Sequence, residues 1–280
     1  MAGECTGEPR TTVLNAITSP DALLARSRTA SGIEWLVLNR PRARNALSLD
    51  MLAALEAALV EIAASDARCV LLAAEGPVFC AGHDLKEMAA HRADADAGLG
   101  FYTTAMAACA RVMQAVVNLP QPVIAVVEGV ATAAGCQLVA SCDMAVATPD
   151  AKFCTPGVDI GLFCSTPAVA LSRAVPRKAA MDMLLTGRMV GAREAHAMGL
   201  ISRIADDARV AAEVIAEGIA ARSALTIRMG KAGFNRQAGC ALPDAYAAAA
   251  QVMVDNMMAH DAGEGIGAFL EKRHPQWQDR

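Results

Sequence analysis

Two short segments rich in small residues each follow an apolar, strand-like run and precede a helical pattern. They cover residues 79–86 (FCAGHDLK) and 129–137 (GVATAAGCQ). Glycine and alanine let the backbone turn tightly and leave amide N–H groups without partners just before a helix begins, where negative charge is favoured. Two such turns can hold one carbonyl oxygen from two sides, which is how backbone groups stabilise an oxyanion.

The rest of the chain alternates strand and helix patterns. Ser48 is suited to cap a helix that runs to about Ser65, and Pro176 is suited to the first position of a helix that starts near Arg177, after a predicted loop over 156–167. Strands are predicted at 33–38, 69–72, 123–127 and 144–147, and helices at 102–118, 208–221, 225–237, 244–258 and from there to Lys272. This order indicates an α/β core with a helical appendage, and leaves open a doubly wound sheet or a stacked spiral.

The same patterns divide the chain into three parts. Residues 1–30 read as a loose N-terminal arm, residues 31–205 as the α/β core, and residues 206–280 as a C-terminal helical region.

Composition excludes several classes of protein. Of the 280 residues 54% are hydrophobic and 19% are charged, which is typical of a folded chain with extensive buried or subunit-facing surface. The net charge of −4 argues against a nucleic-acid binder. The nine cysteines show no spacing typical of a metal site, so we expect no metal and reduced thiols.

Targeting signals are weak in this sequence. It contains no apolar run of about eighteen residues and no secretory leader pattern, so we expect no membrane partner and a cytoplasmic location. A mitochondrial transit peptide is the alternative, because Arg10, Arg26 and Arg28 lie near the start, although acidic residues interrupt them.

The order and spacing of the motifs resemble the enoyl-CoA hydratase/isomerase (crotonase) superfamily between Ile33 and Arg273. Besides the two turns, the shared motifs are LNRP at 38–41, NAL at 45–47, TG at 186–187, GLI at 199–201 and AFLEKR at 268–273. Segments 131–137 and 161–167 look closest to the branch of enoyl-CoA hydratase domain-containing protein 3. The resemblance implies a crotonase-like β/α spiral core with a C-terminal helical oligomerisation region that packs homotrimers, often paired into hexamers.

The resemblance also implies the ligand and the residues that bind it. The ligand is an acyl-CoA thioester, and no cofactor is needed beyond the coenzyme A that the substrate carries. The two oxyanion donors fall on the backbone N–H groups of His83 and Ala134. The strip that contacts coenzyme A maps onto Ala81, His83, Asp84, Leu85 and Lys86, with Lys272 reaching toward the CoA phosphates. Asp84 is equally suited to cap the following helix.

Two positions depart from the family pattern. Hydratases of the family place catalytic glutamates where this chain has Gln137 and Gly157. Hydration needs a group that takes a proton from water and one that returns a proton to the substrate, and an amide does neither at neutral pH. We therefore expect an enoyl-CoA hydratase-like lyase or isomerase with weak hydration or another CoA-thioester reaction, such as isomerisation, decarboxylation or thioester hydrolysis. The alternative is a non-catalytic acyl-CoA-binding protein.

Few nearby residues can replace the missing carboxylates. Asp159 lies two positions beyond Gly157, and the imidazole of His83 titrates near neutrality. We read the thiols at 136, 154 and 164 as packing groups rather than nucleophiles. If only the two glutamates are missing, Gln137→Glu combined with Gly157→Glu raises hydratase activity.

Overall fold

The computed structural model describes residues 15–16, 18–19 and 22–280. Within these residues the strands form a seven-stranded and a four-stranded sheet. The larger sheet has the order β1 (Asn15–Ala16), β2 (Leu24–Arg28), β3 (Ile33–Leu38), β4 (Cys69–Ala74), β6 (Val123–Val127), β8 (Met144–Ala147) and β11 (Arg203–Ile204). The smaller sheet has the order β10 (Val190–Gly191), β9 (Lys152–Cys154), β7 (Val130–Thr132) and β5 (Val78–Cys80).

The strands predicted from apolar runs are confirmed and pair in parallel. β3, β4, β6, β8 and β11 are successive parallel neighbours, and every residue of β4 and β6 is buried. Strands covered on both faces read as continuous apolar runs, which is why the sequence reveals them.

The loose arm predicted for residues 1–30 is wrong in its second half. β2 pairs antiparallel with β3, and the guanidinium of Arg26 on β2 lies 2.6 Å from the carboxylate of Glu34 on β3. β2 is held to β3 partly by this ion pair, and its residues do not alternate between apolar and polar. The apolar pattern that indicates a strand is therefore missing from its sequence. The first fourteen residues of the arm lie outside the described part of the chain.

Eleven α-helices connect and cover the strands in the described residues. They are α1 (Leu49–Ala63), α2 (Leu85–Ala90), α3 (Leu99–Asn118), α4 (Ala134–Ser141), α5 (Ser165–Ala174), α6 (Arg177–Thr186), α7 (Ala192–Ala197), α8 (Ala208–Ala220), α9 (Ala224–Gln237), α10 (Leu242–Met257) and α11 (His260–Glu271). The predicted cap of α1 is confirmed, since the Ser48 hydroxyl accepts a hydrogen bond from the Met51 N–H.

The loop predicted over 156–167 is wrong at its end. Residues Pro156–Ile160 form a short 3₁₀ turn, and α5 begins at Ser165. Pro167 lies within the first turn of α5, where the missing N–H would have no partner in the helix, so proline is tolerated there. Pro176 occupies the cap position before α6 rather than its first helical position.

The larger sheet is covered on both faces. On one face, α8 packs small side chains at Ala208, Ala212 and Ala216 against residues such as Leu71 and Ile124. The other face joins α1, α3 and the smaller sheet in the main core. α8 therefore packs onto the core, although it follows the boundary predicted at residue 205.

The last three helices extend the fold beyond the sheets. α9 and α10 pack together, and α11 contacts both. No residue of α10 is buried, and large apolar side chains on α10, on α11 and between them are exposed, including Met258 and Phe269, each 82% exposed. Across the described residues, no helix is both long enough and apolar enough to cross a membrane.

Candidate active site

The two small-residue turns lie directly against each other. Gly82 has a φ of +87°, and a Cβ atom at this position would lie 2.8 Å from the Ala133 Cβ and 3.2 Å from the Ala134 nitrogen. A side chain would therefore be strained by the backbone conformation and would collide with the second turn. Glycine at position 82 lets the first turn approach the start of α4.

A second glycine brings α4 onto the end of β5. A Cβ atom on Gly135 would lie 2.2 Å from the Cys80 carbonyl oxygen, closer than any real contact. The start of α4 therefore packs directly against the backbone at Cys80, which leads into the turn that contains Gly82 and His83. Gly82 and Gly135 together explain why small residues are needed in both segments.

The N–H groups of His83 and Ala134 are free to bind a ligand. Leu47 donates its N–H to the Gly82 carbonyl (2.8 Å) and accepts from the Asp84 N–H (3.4 Å), so the His83 N–H between them points away from Leu47. Ala134 is the first residue of α4, where an N–H has no partner within the helix. Neither N–H donates a hydrogen bond within the described part of the chain.

The second turn is held in an uncommon backbone conformation. Ala133 has φ 49° and ψ −118°, a region that L-residues rarely adopt, and its N–H donates to the Cys154 carbonyl at 2.9 Å. Such strain persists only when surrounding contacts impose it, and it is concentrated at functional sites. Here the bond to β9 holds Ala133 so that the Ala134 N–H follows at the start of the helix.

The imidazole of His83 is largely buried. Burial lowers the pKa of His83, although a hydrogen bond with the Leu47 backbone acts in the opposite direction. The ring is therefore neutral at pH 7, and its Nε2 atom has no hydrogen-bond partner among the described residues. A neutral imidazole can accept a proton, but burial opposes the charge that would result.

Asp84 caps α2. Its carboxylate accepts hydrogen bonds from the N–H groups of Lys86 (3.1 Å) and Glu87 (3.3 Å), and it pairs with the Arg40 guanidinium at 2.7 Å. Burial of the carboxyl opposes ionisation, but Arg40 and the two N–H groups outweigh it and lower the pKa of Asp84. The capping role considered from the sequence is confirmed.

The other residues expected to contact coenzyme A differ in their surroundings. Ala81 is partly buried and is held by its backbone, whereas Leu85 and Lys86 are exposed on α2. Lys272 lies at the end of α11 in a left-handed conformation with φ 57°, and α11 packs against α9 and α10 rather than against the two turns. No hydrogen bond or ion pair joins Lys272 to the described site residues, so its role stays a prediction.

Gln137 lies one turn into α4 and is 4% exposed. Its side-chain oxygen faces the Cys109 sulfur at 4.0 Å, a weak contact. The amide is neutral, so it can orient a ligand but cannot exchange protons with it at neutral pH.

The space beside Gly157 is already filled. A Cβ atom there would lie 2.6 Å from the Leu162 carbonyl oxygen and 2.8 Å from the Cys164 sulfur. The Leu162 N–H also donates to the Gly157 carbonyl at 2.9 Å, which closes the segment over the glycine. No side chain fits at position 157 without movement of this segment, so a carboxylate at 157 is excluded in the present backbone.

The remaining candidates for proton transfer are one exposed carboxylate and three buried thiols. Asp159 is exposed and lies beside Gly187. Burial raises the pKa of Cys136 and Cys164, and raises that of Cys154 to about 11. These three groups are therefore protonated thiols at neutral pH, in agreement with their interpretation as packing residues.

Thr155 is a residue that the sequence analysis missed. It is fully buried between β9 and Pro156, and its hydroxyl has no hydrogen-bond partner among the described residues. Its position, at the end of a strand and before Pro-Gly, is the only sequence signal that could have drawn attention to it.

Two cavities in the described part of the chain lie away from the two turns. Within the described residues, no group of three His, Cys, Asp or Glu side chains could hold a metal ion. One cavity of about 560 Å³ lies between the end of α3 and α9, and another of about 470 Å³ lies between α5 and α6.

The chain is similar to known proteins over most of its length. The sequence profile of the enoyl-CoA hydratase/isomerase family matches residues 28–280. The mitochondrial enoyl-CoA hydratase domain-containing protein 3 of Rattus norvegicus is 48% identical over 257 residues, 91% of this chain and 84% of that protein. The protein of the same name from Homo sapiens is 47% identical, over 90% of this chain and 82% of its own length.

Solved structures agree with these sequence matches. A crystal structure of an enoyl-CoA hydratase from Mycobacterium smegmatis superposes with a TM-score of 0.87 at 49% identity, covering 91% of this chain and 99% of that one. Human enoyl-CoA hydratase domain-containing protein 3 superposes with a TM-score of 0.86 at 45% identity, covering 91% and 100%. The predicted crotonase-like fold with its C-terminal helices and the predicted branch are confirmed.

The cytoplasmic location expected from the sequence is wrong by this comparison. The rat, mouse and human relatives are all named as mitochondrial proteins. The acidic residues near the start of the chain argued against a transit peptide. The mitochondrial names of the relatives are the stronger evidence.

Proposed function

The chain belongs to the enoyl-CoA hydratase/isomerase family, and we propose that it binds an acyl-CoA thioester whose carbonyl oxygen accepts hydrogen bonds from the N–H groups of His83 and Ala134. The observation that supports this proposal is the contact between the two turns. Gly82 lies against Ala133 and Ala134, and both N–H groups lack partners within the described chain.

Two such donors favour a reaction that passes through an enolate. Negative charge on the thioester oxygen is stabilised by both N–H groups and by the N-terminal end of α4. Removing one donor of an oxyanion hole typically lowers the rate about 10²- to 10³-fold. The proposed catalytic contribution of His83 and Ala134 is therefore made by the backbone.

The proposed reaction is one that needs little help from a carboxylate. Gln137 is neutral and position 157 is closed, so hydration lacks both its usual acid and its usual base. Decarboxylation forms an enolate by loss of CO₂ rather than by removal of a proton, so it needs no base to begin, and a proton from water completes the product. The second candidate is a non-catalytic acyl-CoA-binding protein.

The remainder of the ligand is proposed to lie along the first turn and α2. Ala81, His83, Asp84, Leu85, Lys86, Ala134 and Gly157 form the proposed binding surface, and Lys272 is proposed to reach the CoA phosphates. No cofactor beyond coenzyme A itself is part of this proposal.

We further propose a homotrimer or hexamer. α10 has no buried residue, and the exposed apolar side chains on α10 and α11 favour burial against another copy of the chain. Sedimentation analysis of the wild type and of Phe269→Glu tests this. A monomeric wild type would contradict the proposal.

The central experiment compares Ala134→Pro with the wild type. Proline is tolerated at the first position of a helix and removes the N–H there. Because its ring also restricts the backbone of Ala133, thermal unfolding of the variant is measured beside its turnover. We expect the variant to keep its affinity for free coenzyme A and to lose about 10²- to 10³-fold of any turnover on a panel of enoyl-CoA and carboxyacyl-CoA esters.

Arg177→Pro is the control, because Arg177 also begins a helix and its N–H makes no hydrogen bond within the described chain. Equal loss of turnover in both variants would contradict the oxyanion role of Ala134. Tight binding of the esters by the wild type without turnover of any of them would favour the non-catalytic candidate.

A further inference from the structure

The segment Arg40–Leu47 runs beside the first turn and is tied to it by backbone hydrogen bonds. The Ala81 N–H donates to the Arg44 carbonyl at 3.0 Å, and Leu47 bonds to both Gly82 and Asp84. Backbone hydrogen bonds to the segment 40–47, called the outer segment below, therefore hold Ala81, Gly82 and Asp84, while the His83 N–H makes none. The direction of that N–H depends on where the segment lies.

Asn45 determines where the segment lies. It is fully buried, its side-chain oxygen accepts the Arg40 N–H at 2.8 Å, and its Nδ2 donates to the carbonyls of Glu75 (2.9 Å) and Val78 (2.7 Å). Val78 begins β5, the strand that leads into the first turn. One amide group thus joins the outer segment to the strand that carries the turn.

The backbone at Asn45 restricts which residues can do this. Arg44 and Asn45 have φ values of 54° and 52°, two successive residues in the left-handed region. Asparagine is among the few non-glycine residues that adopt this conformation readily. Glycine would adopt it too, but would provide none of the three side-chain hydrogen bonds.

Thr132 fixes the same turn from the opposite side. Its hydroxyl donates to the Ala81 carbonyl at 2.9 Å, and Thr132 ends β7, directly before Ala133 and Ala134. This bond connects the turn that contains the His83 N–H to β7, the strand that leads to the Ala134 N–H. The spacing between the two donors is therefore held by a side chain from the second segment.

We propose that Asn45 and Thr132 are positioning residues that set the direction of the His83 N–H and its distance from the Ala134 N–H. Neither residue needs to touch the ligand. The inference rests on the proposed function, since it concerns how the two donors act together on one carbonyl oxygen. It assigns a role to the NAL motif at 45–47, which the sequence analysis left without one.

The test uses Thr132→Val and Asn45→Asp with a chromophoric cinnamoyl-CoA thioester. The absorption maximum of such a conjugated thioester moves to longer wavelength when hydrogen bonds polarise its carbonyl group. We expect the wild type to produce the shift and Thr132→Val to reduce it, with Kd changed less than about 3-fold. Asn45→Asp turns two donated hydrogen bonds into repulsive contacts, so we expect it to abolish most of the shift.

Matched variants control for the loss of a hydrogen bond elsewhere. Thr104→Val removes a hydroxyl-to-carbonyl bond of 2.9 Å on α3, and Asn235→Asp removes an amide-to-carbonyl bond of 2.8 Å between α9 and Val117. Both should keep the wild-type shift. Thermal unfolding of all variants separates loss of the shift from loss of folding.

The outcomes separate this inference from the proposed function. A wild type that binds the probe without a shift, or does not bind it, overturns the proposed function and the inference with it. A wild-type shift that persists in folded Thr132→Val and Asn45→Asp overturns the inference alone. If Asn45→Asp does not fold, Thr132→Val decides the result, because Thr132 lies at the edge of the site and is only partly buried.

Discussion

The sulfur atom of Cys164 lies 2.8 Å from the point that a Cβ atom on Gly157 would occupy. The thiol thus fills the position in which a side chain at 157 would begin, and the Leu162 carbonyl closes the other side at 2.6 Å. The packing of residues 157–164 therefore leaves no space for a glutamate side chain at position 157. We therefore expect that substitution of this one residue gives no hydratase activity.

Gly157→Ala is expected to destabilise the protein by about 1–3 kcal/mol, because overpacking forces the surrounding backbone to move. Gly218→Ala is the control, since nothing lies within 4 Å of a Cβ atom at that position in α8. It should stabilise the protein by about 0.5–1 kcal/mol. Urea unfolding measures both, and equal stability of Gly157→Ala and the wild type would contradict the packing described here.

The same packing reverses the expectation for the double variant Gln137→Glu with Gly157→Glu. The larger side chain meets the same backbone carbonyl, so we expect no gain in hydration of a trans-2-enoyl-CoA ester and a lower melting temperature. Loss of the conjugated thioester absorbance reports hydration. Restored turnover in a stable double variant would show that the segment can open.

Thr155→Val is expected to stabilise the protein by about 1 kcal/mol. The buried hydroxyl of Thr155 has no partner, and a methyl group of the same shape removes an unsatisfied polar group. Thr29→Val is the opposite case, because the buried Thr29 hydroxyl accepts the Ile33 N–H at 3.0 Å. The melting temperature should rise for Thr155→Val and fall for Thr29→Val. A lower melting temperature for Thr155→Val would show that its hydroxyl makes a stabilising hydrogen bond.

His83 makes stability depend on pH. Burial lowers the pKa of His83 below its usual 6.5, so the folded protein binds the proton less readily than the unfolded chain does. The free energy of unfolding that the neutral His83 contributes is fully present above the pKa of histidine in the unfolded chain. It is lost as the pH falls from that pKa to the lower pKa of His83 in the folded protein. Between about pH 7.5 and about pH 5.5, the wild type should lose more stability than His83→Gln in urea unfolding. Equal losses would rule out a neutral, buried imidazole.

Thiol labelling distinguishes buried from accessible cysteines. Burial raises the pKa of Cys154 to about 11 and also raises that of Cys164, whereas Cys240 is exposed. Since the thiolate is the reactive form, iodoacetamide at neutral pH should modify Cys240 well before either of the other two. Peptide mass spectrometry gives the site, and rapid labelling of Cys164 would mean that the segment over Gly157 opens in solution.

Local signals in the sequence were sufficient for much of the fold. The apolar runs of β3, β4 and β6 and the Ser48 cap are short-range features, and the structure contains them as predicted. β2 was missed because its burial depends on the ion pair between Arg26 and Glu34, two residues whose types suggest exposure. α5 was missed because Pro167 reads as a helix breaker unless its position in the first turn is known.

The sequence by itself determined the elements of the candidate site: two turns of small residues before helices, two backbone donors, and a neutral amide and a glycine where the family has carboxylates. The turns depend on neighbouring residues, so the residue types alone indicate them, whereas the two donors and the departures at 137 and 157 are what the family resemblance implies. Only the tertiary structure decided that Cys164 closes the space at Gly157, that Asn45 ties Arg40 to Val78, and that Gly82 meets Ala134. These contacts join segments that are distant in the sequence, and the close packing of the folded chain sets their distances.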